Sequence, residues 1–338
     1  MVEILFFGFL FGAIIYLSKL NRNDVISGLA MLKDFSVAKA IAVAIGLGAI
    51  LLNTEIALGL ATYHIKPFIS GGVILGGLLF GVGMAILGYC PGTLPISLGQ
   101  GSIDALFGIF GGLLSGFVFT LLFPHMQGIL GPNLGKISLY TLYGSDPVKF
   151  FVLTFIIGAG LIAVAFFIHK IEGAKNLRWF YGGIALAILN SIACLSATTG
   201  RPIGASTSYP YLADIIVGFT QNSYFEKIQA PGHWEVIFLA GALIASLVLS
   251  VMRKEFKITF VHSRWASIKG DAVPKRLTWA FIGGFILIFG ARMAGGCTSG
   301  HVISGGMQLA LSSWTFAIFV FIAFLITGKL FYKTPKKL

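Results

Sequence analysis

Two stretches decide how this chain folds: GGLLFGVGMAILGYCPGTLPISLG at residues 76–99 and GGFILIFGARMAGGCTSGHVISGG at residues 283–306. At an offset of 207 residues, Gly76, Gly77, Gly83 and Gly88 match Gly283, Gly284, Gly290 and Gly295. Cys90 matches Cys297, and Ile96, Ser97 and Gly99 match Ile303, Ser304 and Gly306. A lone cysteine in a glycine-rich apolar helix serves close packing. Its recurrence at the equivalent position of a second copy argues instead for a shared function.

The surroundings set the solvent. With 57% hydrophobic residues, 11% charged residues and a mean hydropathy of +0.91, 338 residues carry more apolar surface than a water-soluble core can hide. Apolar stretches near the ~20 residues needed to cross a bilayer run at 4–20, 37–58, 70–89, 102–123, 148–169, 178–197, 234–252, 277–297 and 312–331. They predict an all-α polytopic membrane protein with about nine transmembrane helices. The first stretch runs into ordinary charged sequence without a small-residue cleavage site, so it reads as a retained helix rather than a signal peptide.

The net charge of +12 raises the question of nucleic acid. The distribution of the basic residues answers it. With the N-terminus external, the segments flanking these stretches, together with the end turns of the stretches themselves, hold 18 lysines and arginines on the inner side and five on the outer, and Arg292 lies deeper within a helix. That asymmetry is the positive-inside pattern of an inner (cell) membrane protein with its N-terminus outside and its C-terminus cytoplasmic. The basicity therefore reports orientation and anionic membrane lipid, with no nucleic acid partner. The most basic segment, Arg253 to Arg276, is expected to face the cytoplasm, lying with Trp265 along the headgroups or docking a soluble protein.

The helix count relates the two copies. If residues 1–125 form one half and 178–338 the other, the single fifth helix in 126–177 is an odd number of crossings. The second half is then inserted upside down, giving an inverted-topology repeat within one transmembrane transporter domain, 1–338. Such repeats hold substrate between discontinuous helices. Short re-entrant half-helices are predicted from Pro91 to Gly101 and from Thr298 to about Met307, with further candidates at Asp24–Lys33 and Gly204–Gly218. Irregular backbone at these depths needs protein or a water-lined cavity around it.

Three cysteines without a CxxC or a histidine pair on one helical face predict neither a disulfide framework nor a metal site. A thiol at a helix N-terminus is a weak donor and, ionised, a nucleophile, which suits a soft, sulfur-bearing substrate. Cys194, near the end of the sixth helix, is a third candidate. Arg292 sits one turn before Cys297, either attracting an anion directly or bonding a neighbouring broken helix, because an arginine in a membrane helix needs a partner. Arg201, at an outer loop, is placed to steer anions inward. His301 either contacts substrate or caps its half-helix, and Ser102 and Asp104 are expected to cap the fourth helix. No deep carboxylate pair appears, and no GxxxxGK[ST] loop is present for ATP.

The strings GARMAGGCTSGHVISGG, GYCPGT and GRPIGAS together resemble the YeeE/YedE family of membrane proteins, which includes thiosulfate transporters, over nearly the whole chain. The resemblance implies a nine-helix hourglass with inverted halves, whose cysteines line a narrow passage and hand thiosulfate along through S–H contacts to sulfur. Those roles would pass to Cys90 and Cys297. Hydroxyl and backbone donors at Thr93, Thr298, Ser299 and Gly300 would hold the oxygens, and no cofactor is implied. Family members often carry a further cysteine in the first broken helix, where LNRNDVISGLAM offers only Asn23, Asp24 and Ser27; Cys194 is a candidate substitute. A membrane sulfurtransferase that forms a cysteine persulfide is the competing reading. A third is a sulfur or selenium transporter that passes cargo to a TusA-like cytoplasmic sulfur carrier docked on the basic loop.

Overall fold

Gly88 and Gly295 adopt the left-handed conformation, with φ 76° and φ 74°, and each ends a long helix at the equivalent point of its copy. Glycine in this position is the standard helix stop, since any side chain there crowds the backbone. In this computed structural model, which describes residues 1–333, the two stops organise an all-helical chain. Its β pairing among the described residues is confined to isolated bridges between loops.

The first half comprises α1 (Val2–Ser18), α2 (Asn23–Ala30), α3 (Ser36–Ala57), α4 (Ser70–Leu87), α5 (Thr93–Leu98) and α6 (Ile103–Leu130). A connecting part follows, with α7 (Leu139–Tyr143) and α8 (Pro147–Glu172). The second half comprises α9 (Arg178–Cys194), α10 (Ser208–Ile216), α11 (Ser223–Met252), α12 (Ser263–Lys269), α13 (Val273–Ala294), a π-helical segment π1 (Thr298–Gly305) and α14 (Leu311–Phe331). Apart from α12, both halves read long, short, long, long, short, long. All four expected short segments are present, as α2, α5, α10 and π1.

Seven helices are long and apolar enough to cross a membrane, or eight if α1 and α2, bent by 68° at their joint, count as one span. The remaining long helix, α9, and α1 taken alone have 17 residues each, about 25 Å against a hydrocarbon core of ~30 Å.

Packing pairs recur with the halves exchanged. The helix α13 packs on α6 as α14 packs on α4, α1 packs on α11 as α9 packs on α3, and α5 meets α11 as π1 meets α3. At the centre α4 and α13 cross antiparallel. A methyl group on Gly76 would come 2.6 Å from the Gly290 carbonyl oxygen, and one on Gly83 would strike the Leu287 backbone. Lipid is as apolar as leucine, so helices gain from association in a bilayer mainly through such close van der Waals contact and polar bonds.

One polar cluster locks the crossing at one end. Arg276, at the start of α13, and Asp104, at the start of α6, are fully buried and paired at 2.6 Å. The same guanidinium donates to the Leu87 carbonyl at 2.7 Å, satisfying an orphan acceptor at the end of α4. Tyr89 Oη lies 2.7 Å from His262 Nε2 and 3.2 Å from Asp104. Asp104 therefore does double duty, pairing with Arg276 through Oδ2 while its Oδ1 accepts the first-turn N–H of Ala105 at 2.9 Å, and Ser102, although in the cap position, makes no side-chain cap bond.

Trp265 also departs from the expectation drawn from the sequence. It is 1% exposed, lies 4.6 Å from the Arg276 guanidinium and packs against Phe331, so its indole covers the buried charge instead of lying along headgroups. The 253–272 segment is strapped down throughout. Tyr16 donates to Glu255 at 2.6 Å, Thr259 pairs with Ser102, and Asp24 accepts from Ser263 at 2.7 Å.

Gly83→Val is expected to abolish monodisperse protein in detergent on size exclusion, whereas Gly160→Ala, where an added methyl meets nothing within 4 Å, leaves the profile unchanged. Asp104→Ala strands the buried Arg276 charge and is expected to cost about 3–5 kcal/mol. The double variant Asp104→Leu, Arg276→Met recovers most of it when unfolding is followed in micelles.

Candidate functional site

Beyond each glycine stop the chain turns and presents a thiol. After Gly88, the Cys90 N–H donates to Thr93 Oγ1 at 3.0 Å while the Thr93 hydroxyl donates to the Cys90 carbonyl at 3.1 Å. One side chain thus satisfies both backbone groups of the break. Pro91 lies in the turn, and α5 begins two residues later at Thr93.

After Gly295, Cys297 is extended and its carbonyl accepts the His301 N–H at 2.7 Å. No hydroxyl caps this segment. The Ser299 hydroxyl sits 3.1 Å from the Cys297 Sγ instead.

The two thiols face different cavities. Cys297 lines a polar cleft of about 40 Å³ together with Gly300, Lys66, Arg201, Thr207 and Glu235. Cys90 lines an apolar chamber of about 60 Å³ whose other walls include Phe11, Ile26 and Ile303. Thr93, Thr298 and Ser299 face that chamber too. Ser299 bonds Cys297, and Thr298 flanks the Cys90 thiol, so two adjacent hydroxyls link the two thiols. The α9–α10 joint closes the site from the other side: Tyr209 donates to the Pro91 carbonyl at 2.9 Å, and Ala205 packs against Gly92.

The remaining candidates divide. His301 Nε2 lies 2.8 Å from the Ala294 carbonyl, which can only accept, so that nitrogen carries the proton and Nδ1 accepts from Ser313 at 3.0 Å. The ring lines neither cavity. It ties π1 to the end of α13 and to α14. Arg292 donates to Tyr224 at 2.7 Å, to Thr207 at 3.1 Å and to Ser206 at 3.4 Å. It braces the wall of the polar cleft from behind through hydroxyls, not backbone carbonyls. Arg201 lines the cleft, paired with Glu235 at 3.5 Å and lying 4.6 Å from the Trp234 ring. Cys194 is buried at the end of α9 and lines neither cavity. Asn23, Asp24 and Ser27 bond the Leu87 carbonyl, the start of α12 and the Asn23 carbonyl respectively, and none of them lines the chamber.

Several residues at the site escaped the sequence reading. Lys66, from the Leu58–Ile69 loop, bonds the Gly295 carbonyl next to Cys297. Glu235, in α11, accepts the Thr207 N–H at 2.6 Å. Its signal was available, because a lone carboxylate inside an apolar stretch is a functional candidate by default. Ser97 and Ser304, matched in the repeat, each anchor a short helix to the joint of its own half. Ser97 bonds the Asn21 carbonyl at 3.1 Å and Ser304 the Ile203 carbonyl at 2.9 Å.

Comparison with known proteins bears on this arrangement. A family model described as sulphur transport matches residues 18–326. Thiosulfate transporter TsuA of Spirochaeta thermophila is 27% identical over 325 residues, covering 92% of this chain and 93% of that protein. Thiosulfate transporter TsuA of Escherichia coli is 22% identical over 330 residues, 91% of this chain and 88% of that one. The probable transporter YedE of the same organism is 32% identical over 90 residues, 26% of this chain and 22% of its own. With the match running from the end of α1 to the last turns of α14 and enclosing both breaks, the chain belongs to the sulphur transport family.

Proposed function

We propose that this chain is a permease that imports thiosulfate, or a closely related sulfur-bearing anion, through a passage in which Cys297 and Cys90 act in succession. The observation that carries the reading is the Thr298–Ser299 pair, which serves as the partition of the proposed passage. Two thiols from equivalent breaks line two different cavities, Thr298 flanks the Cys90 thiol, and the Ser299 hydroxyl touches the Cys297 sulfur. The polar cleft offers charge and N–H groups to the oxygens, and Cys297 offers an S–H to the terminal sulfur. The anion then passes Ser299 and Thr298 to Cys90. Sulfate matches thiosulfate in charge but lacks the soft sulfur, so discrimination rests on the thiols.

A dianion is not stable against the apolar wall around Cys90 without compensating partners. Transfer therefore requires a second conformation in which the hydroxyls of the partition follow the substrate. The chain crosses the inner membrane nine times, with α1 and α9 included, as inverted halves around α8, the N-terminus outside and the C-terminus cytoplasmic. The exchanged packing pairs and the antiparallel crossing of α4 and α13 support the inversion. The excess of lysine and arginine on the side of the 253–272 segment supports the orientation and fits that side to anionic headgroups or to an acidic sulfur carrier.

In liposomes loaded with buffer and supplied with labelled thiosulfate, Cys90→Ala and Cys297→Ala are each expected to lower initial uptake at least tenfold, and Cys194→Ala less than twofold. Uptake by both alanine variants at the native rate rejects the relay. Mass spectrometry of the native protein after turnover separates the enzyme reading: a persulfide on Cys297 with release of sulfite would replace the permease by a sulfurtransferase.

A further inference from the structure

The carbonyl ends of the two broken helices are both capped by cations brought from elsewhere in the chain, but the two caps differ. At α4, Arg276 takes the Leu87 carbonyl while paired with Asp104, and neither side chain reaches solvent. At α13, Lys66 takes the Gly295 carbonyl, and among the described residues it makes no ion pair. The one carboxylate lining its cleft, Glu235, is engaged by Arg201 and by the Thr207 N–H. One cap is a closed pair; the other is a cation whose partner is a neutral carbonyl.

Its position is specific. A methyl group on Gly296 would come 2.8 Å from the Lys66 Nζ, and one on Gly300 would come 3.7 Å from it. The ammonium thus lies against the two glycines that bracket Cys297, beside the His301 ring. An ammonium held by one carbonyl in a half-buried cleft gains more from an anionic oxygen, because a full opposite charge adds Coulomb attraction that a neutral carbonyl dipole does not supply.

We propose that Lys66 is the charge-recognising residue of the polar cleft: it leaves the Gly295 carbonyl to bind a sulfonate oxygen of the incoming anion while Cys297 takes the terminal sulfur. The assignment rests on the thiosulfate reading above. A hard cation beside a soft thiol in one cleft holds an asymmetric anion in a single orientation, its sulfonate on Lys66 and its sulfur on Cys297. The closed Arg276–Asp104 pair offers no such cation at the other break, so capture belongs to the Lys66 side alone.

The ionisation of Lys66 supports the same assignment. Burial pushes its pKa down to about 8; Glu235 opposes this, Arg292 adds to it, and Cys297 and Arg201 act more weakly. His64 lines the same cleft and His301 flanks Gly296, which completes the titratable groups around it. A lysine with a lowered pKa is cationic below that value and neutral above it, so anion affinity is full below pH ~8 and is lost as pH rises through it.

The test is calorimetric titration of the purified full chain in detergent with sodium thiosulfate. Lys66→Met is expected to weaken binding at least tenfold, Lys66→Arg less than threefold, and Cys297→Ala is expected to weaken thiosulfate while sparing any competition by sulfate. Native-like affinity in Lys66→Met overturns the assignment and leaves the permease reading standing. Absence of thiosulfate binding by the native chain removes both. Should Lys66→Met fail to fold, the pH profile decides. Affinity of the native chain falling roughly tenfold per unit above pH ~8, with the plateau extended in Lys66→Arg, supports the role of Lys66. A profile flat to pH ~9.5 overturns it.

Discussion

Everything in this molecule is arranged around the contact between α4 and α13, where glycines let two backbones approach more closely than any side chain would allow. Each of these helices then stops at a left-handed glycine, so the crossing fixes where both breaks lie relative to one another. The thiols follow two residues later on each strand. Had either helix carried larger residues at the crossing, the breaks would be separated by the width of the intervening side chains. The hydroxyl pair could then not reach both thiols.

Breaking a helix inside a membrane leaves carbonyls and N–H groups that lipid cannot satisfy, and the chain answers several of them with specific partners. Thr93 serves both backbone groups of Cys90, and His301 binds the Ala294 carbonyl. Arg276 and Lys66 cap the two helix ends. The quality of these partners differs between the breaks, and the difference has a functional direction. Where the cation is paired with a buried carboxylate the cap is structural; where it is not, the charge is available to an anion. In the proposed permease, one of the two breaks thereby acquires a side suited to anion capture without a change of architecture.

The cleft and the chamber also divide the chemistry. The polar cleft gathers Lys66, Arg201, Glu235 and the N-terminal approach to α10 around Cys297. The apolar chamber holds Cys90 among Phe11, Ile26 and Ile303. A dianion is stable in the first and not in the second, so along the proposed route the barrier is electrostatic as much as steric.

Much of this was legible in the residue order. Periodicity and hydropathy are local, so the apolar helices, the four short segments, the two glycine stops and the thiols beyond them follow from the chain read in order. The matched repeat is likewise a property of the string, and the need of Arg292 for a partner follows from its depth in an apolar stretch. What the string could not decide was pairing. Asp104 looks like a helix cap until α13 brings Arg276 against it, and Trp265 looks interfacial until Phe331 and Arg276 enclose it. Lys66, a single charge in the 58–69 loop, acquires meaning only when the loop folds back across the end of α13. Local sequence determined which segments are helical and where they break. Tertiary structure alone decided which buried charges are neutralised and which one is left facing a cavity, because that depends on distances between residues more than a hundred positions apart.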